Sequence, residues 1–104
     1  MNNKLVDKYI IEDNRVELIN LVFEYKDKID LNKIAHYFID KKDDYSICEL
    51  ISMVPEYLDL DDIFDSIIKT NDEEFMFWII NNSTINFIDD KYIYRIKKVL
   101  NRIN

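Results

Sequence analysis

"DLNKIAHYFIDKKDDYSICELISMVP", residues 30–55, holds two apolar blocks with a polar break between them. In the first block Ile34, Ala35 and Phe38 recur at i, i+1 and i+4; in the second Ile47, Leu50 and Ile51 recur at i, i+3 and i+4. Both spacings gather apolar side chains on one face of a helix, whereas a half-buried strand needs strict alternation. Asp30 and Asp43 stand ahead of the blocks, where a carboxylate accepts from free first-turn N–H groups and complements the helix dipole. Pro55 follows the second block, where it ends a helix without breaking one. The stretch is therefore read as two short helices joined by a tight polar turn.

The pattern is one copy of an internal repeat. Sliding the chain by 29 residues aligns Leu18/Ile47/Met76, Ile19/Cys48/Phe77, Leu21/Leu50/Ile79 and Val22/Ile51/Ile80. A second set follows in the same register: Ile29/Leu58/Phe87, Ile34/Ile63/Tyr92, Ala35/Phe64/Ile93 and Phe38/Ile67/Ile96. Backwards, Leu5, Val6, Tyr9 and Ile10 fall on Ile34, Ala35, Phe38 and Ile39, so the chain begins with half a unit. Caps are expected at Asp13-Asn14, Asp43 and Asn71-Asp72 for the first helix of each unit, and at Asp30, Asp59 and Asp89 for the second. The prediction is an all-α single domain over residues 1–104. Seven short antiparallel helices, near 3–11, 14–25, 31–41, 44–54, 60–70, 73–82 and 89–102, stack as two-helix repeats of period 29 in a solenoid. An irregular helical bundle is the alternative.

Composition agrees. With 104 residues and 48% hydrophobic content the chain suits one core. Zero Gly and one Pro leave hairpins and phosphate-binding loops without their usual turn residues. The abundance of Ile, Tyr and Phe pulls the other way, toward strands. Cys48 and His36 are single, so neither an internal disulfide nor a Cys/His metal cluster can form. No stretch approaches the ~18 uninterrupted apolar residues of a membrane span. The expectation is a cytoplasmic protein.

Residues 30–55 resemble a degenerate ankyrin-type unit, in which a helix ending in polar residues runs directly into a second helix, here "ICELI". The likeness in spacing covers most of residues 3–100. The Thr-Pro-Leu-His start and the turn glycines of that family are missing, and the period is 29 rather than 33. HEAT repeats offer an equally loose comparison. What the resemblance implies is a helical scaffold for protein binding.

The net charge of −7 is unevenly spread. Residues 43–74 carry eleven acids against Lys69, whereas 1–42 balance at eight of each sign and 75–104 hold five bases against two acids. Such a middle repels phosphate backbones and attracts cationic surfaces, so direct nucleic-acid binding is not expected. His36 has no evident nucleophile to serve. "DLDDIFD", residues 59–65, lacks the glycine of an EF-hand calcium loop and places Ile63 at a ligand position. Neither a cofactor, a metal nor catalysis is predicted. The expected partner surface comprises Asp43, Asp44, Asp59, Asp61, Asp62, Asp65, Asp72, Glu73 and Glu74, with Tyr45, Tyr57 and Trp78 as aromatic anchors. Two functions fit: an immunity- or antitoxin-type inhibitor that covers the basic active site of a nuclease toxin, and an ankyrin-like repeat adaptor or host-interaction protein with no inhibitory role.

Overall fold

Three turns of three residues each, at 12–14, 41–43 and 70–72, reverse the chain without a single glycine. Each places one residue in the left-handed region, Asp13 (φ 56°), Lys42 (φ 54°) and Asn71 (φ 53°), at intervals of 29 residues. The left-handed residue lets the last turn close on itself: the Lys42 N–H donates to the Ile39 carbonyl (2.9 Å) and the Asp43 N–H to that of Phe38 (3.0 Å). The next residue caps the following helix. Asn14 accepts from the Glu17 N–H (3.2 Å), Asp43 from that of Ser46 (3.0 Å) and Asp72 from that of Phe75 (3.0 Å). Lys is a poor occupant of this conformation, which costs a residue with a Cβ about 1–2 kcal/mol. Lys42→Gly is therefore expected to stabilise the fold by up to ~1 kcal/mol, net of glycine's greater unfolded-state entropy and an exposed ion pair. Urea denaturation followed by circular dichroism checks this; a loss of stability would mean that the turn is not under strain.

The computed structural model of the protein describes residues 2–85 and 88–103, and every regular element among them is helical. The elements are α1 (Asn2–Ile11), α2 (Arg15–Tyr25), α3 (Leu31–Asp40), α4 (Asp44–Met53), α5 (Leu60–Lys69), α6 (Glu73–Ile80) and α7 (Asp90–Ile103). Short 3-10 turns at Pro55–Tyr57 and Ser83–Ile85 lead toward α5 and α7. Both turns fall between predicted helices, where no regular structure is expected.

The helices form two layers. In one, α1, α3, α5 and α7 pack in succession; in the other, α2, α4 and α6 do the same, and α1–α2, α3–α4 and α6–α7 join them. The array measures 45 × 24 × 20 Å. Successive helices of the first layer are tied at their starts, where Asn3 accepts from the Asp30 N–H (2.8 Å) and Asn32 from the Asp59 N–H (3.4 Å). Between the layers lies a continuous core that includes Val6, Leu18, Ile34, Phe38, Ile47, Leu50, Phe64, Met76, Ile79 and Ile96. The ring of Phe64 stacks on Tyr92 with centroids 5.1 Å apart. Cys48 is buried in this core, and burial first, then the Asp44 charge, pushes its thiol up to about 12, so it packs as a small hydrophobe.

Two expectations need correction or restriction. Phe77 shares a column with the fully buried Cys48, yet it is half exposed. Cys48 is covered by α6, whose Ile79 carbonyl lies 4.0 Å from its sulfur, while no helix of the second layer follows α6 among the described residues. Phe87 lies outside the described residues. Among those residues no helix is long and apolar enough to cross a membrane.

Candidate binding surface

The acidic side chains do not form one patch. Asp59, Asp61 and Asp62 sit at the start of α5, whereas Asp72, Glu73 and Glu74 follow its end, a full helix length of ~15 Å away. Because the tight turns reverse the chain, Asp43, Asp44 and Tyr45 share the edge of Asp72, Glu73, Glu74 and Trp78, while Tyr57 lies just before α5 at the opposite edge. The single surface expected from charge density is thus two edges, with Asp65 partway along α5. Linear density hides this, because a ten-residue helix separates neighbours in sequence by its own length.

The α5 carboxylates are engaged by their own chain. Asp59 caps α5 through the Asp62 N–H (3.1 Å), and Asp62 Oδ2 lies 2.7 Å from His36 Nε2. Arg95 bonds Asp65 and approaches Asp61 at 3.8 Å. With Lys33 on Asp7, these pairs link α1 to α3, α3 to α5 and α5 to α7. They orient the helices and leave less negative potential for a partner than the sequence suggests. Tyr57 likewise has Lys26 over its ring at 5.9 Å.

The other edge carries two grooves whose residues stand 29 positions apart in the sequence. Between α2 and α4 the first is filled by Arg15, which donates to Ser46 and to Glu49 (2.6 Å), lies 4.0 Å from Asp43 and stacks over Tyr45 at 4.9 Å. Between α4 and α6 the second has Asp44 in the place of Arg15, Phe75 in that of Ser46 and Trp78 in that of Glu49. It is a hollow of about 210 Å³ lined by Lys42, Asp44, Asp72, Glu74, Phe75 and Trp78. Trp78 is 51% exposed and meets Phe77 edge to face, with centroids 5.5 Å apart. The Phe75 N–H first, and the Lys42 ammonium at 3.4 Å second, hold the Asp72 carboxyl below the usual carboxylate range. Asp44, Glu73 and Glu74 form no ion pair among the described residues.

Of the residues predicted for binding, this groove brings together Asp44, Asp72, Glu74 and Trp78, with Glu73 on the adjoining face of α6. Asp43 and Tyr45 belong to the Arg15 groove. Arg15, Lys42 and Phe75 escaped sequence reasoning, although aligning the polar columns, and not only the apolar ones, would have revealed the replacement of Arg15 by Asp44. Among the described residues no group of three His, Cys, Asp or Glu side chains is arranged to hold a metal ion. No family model matches the chain, and neither does any curated protein or solved structure.

Proposed function

We propose that the chain is a two-layer stack of 29-residue helical units that serves as a non-catalytic binding module for a basic protein. The repeat reading is supported by the recurrence of left-handed residues at 13, 42 and 71 and of the caps that follow them. The binding reading rests on one observation: the chain's only Trp, half exposed, borders a groove with Asp44, Asp72 and Glu74. An indole face attracts a cation most strongly of all aromatic rings, and carboxylates beside it add a direct electrostatic pull. The neighbouring groove supplies an internal precedent, since the chain's own Arg15 binds there between carboxylate, hydroxyl and ring. A lysine or arginine presented by a partner enters the α4–α6 groove in the same way. The more specific form of this function is inhibition of a nuclease toxin in the cytoplasm, because a cleft that binds RNA or DNA is lined with such cations.

An arginine-rich peptide is the first probe, with Trp78 fluorescence as the readout. Binding is expected at low salt, with affinity falling steeply as salt is added. Joint replacement Asp44→Lys and Glu74→Lys is expected to slow association at least ~10-fold while changing release less. A lysine-free, arginine-free peptide binding equally well, or affinity indifferent to salt, would remove the basis of the reading. The inhibitor form makes a stricter demand: the protein must rescue cells from the nuclease it binds, and the charge-reversed variant must not.

A further inference from the structure

Each of the two grooves at the turn edge already holds one cation of the chain, and the two are held differently. In the α2–α4 groove the Arg15 guanidinium lies over the Tyr45 ring at 4.9 Å, while its N–H groups donate to Ser46 and to Glu49 (2.6 Å). In the α4–α6 groove the Lys42 ammonium lies 3.4 Å from Asp72 Oδ2 and, among the described residues, over no aromatic ring. The other oxygen of that carboxylate, Oδ1, accepts from the Phe75 N–H (3.0 Å). Asp72 is thus engaged on both sides by its own chain.

What the α4–α6 groove still offers is the half-exposed Trp78 indole and two carboxylates, Asp44 and Glu74, that form no ion pair among the described residues. Phe75 stands where Ser46 stands in the first groove, so no hydroxyl acceptor is supplied at that position. These groups do not serve the two natural cations equally. An ammonium is a compact, strongly hydrated charge, and a carboxylate near the surface repays little of the water it gives up. A guanidinium is planar and less strongly hydrated, so it stacks flat on an aromatic face while its edge donates to carboxylates on either side. Lys42 sharpens the difference. Its charge lies on Asp72, the carboxylate an incoming ammonium would seek, whereas a guanidinium over Trp78 needs only Asp44 and Glu74.

We infer that the α4–α6 groove selects arginine over lysine in its partner, with Trp78 as the stacking face and Lys42 as the resident cation that denies Asp72 to a lysine. This rests on the reading of the groove as a cation site and adds which cation it takes. Lys42 is a specificity-determining residue in this account: it contributes nothing to the affinity for arginine and lowers the affinity for lysine. A basic partner whose exposed cations are all lysines is then a poor one, whatever its net charge.

Two peptides of the same length and charge, one with arginine and the other with lysine as its only basic residue type, test this by titration calorimetry at one low salt concentration. The arginine peptide is expected to bind at least ~10-fold more tightly. Trp78→Leu, which keeps an apolar side chain but removes the aromatic face, should bring the two affinities within ~3-fold of each other. Lys42→Gln should tighten the lysine peptide at least ~3-fold more than the arginine peptide. Both side chains are exposed, and unchanged far-ultraviolet circular dichroism checks that the variants are folded. Equal affinity of the unaltered protein for the two peptides overturns the inference and leaves the basic-partner reading standing, whereas binding of neither peptide overturns both. A preference for arginine that survives Trp78→Leu, or one that Lys42→Gln leaves unmoved, also overturns it.

Discussion

Phe64→Ala is expected to lose about 3–5 kcal/mol of folding stability, a large fraction of the ~5–15 kcal/mol that holds a domain of this kind together. Phe64 is fully buried and its ring stacks on Tyr92, so truncation removes apolar burial, an aromatic contact and the link between α5 and α7 together. The packing of α7 depends on that contact, because among the described residues it contributes only Tyr92 and Ile96 to the fully or nearly buried core. Urea denaturation monitored by circular dichroism gives the loss directly. Phe77→Ala is the control: the same chemistry at a half-exposed site should cost only about 1 kcal/mol or less. Equal losses at the two positions would contradict the packing described for α6 and α7.

The second large effect concerns the groove. Trp78→Ala is expected to weaken binding of a basic partner at least ~30-fold, chiefly by faster release, since a half-buried aromatic anchor acts after encounter. Charge reversal at Asp44 and Glu74 acts earlier, on the approach. Surface plasmon resonance on the two variants separates these contributions, and Trp78 is exposed enough that its removal should leave the fold intact. Affinity within twofold of the original after Trp78→Ala would place the interface elsewhere.

The apolar columns were enough to place every α-helix to within about two residues, because helical periodicity and capping are local: Asp43 caps α4 whichever neighbour α4 has. The left-handed turns at Asp13, Lys42 and Asn71 were not legible in that way, since none of these residues signals the conformation as glycine does. The binding surface was legible only in part. Trp78, proposed as an anchor, is half exposed, whereas Phe77 is exposed against the evidence of its apolar column. Burial of a column depends on whether a following helix covers it, and that is a property of the array's end.

Residues 1–104 by themselves determined the helical class, the 29-residue spacing of the apolar columns and the excess of acid in the middle of the chain. Only the tertiary structure decided which acids meet. The antiparallel course carries Asp59 and Asp72 to opposite edges of one helix, and it sets Arg95 against Asp61 and Asp65 while Asp44 and Glu74 line the groove of Trp78 and form no ion pair among the described residues. Periodicity fixes the face of a helix on which a side chain lies, but charge pairing depends on distances between helices, which arise when the two layers close on their shared core.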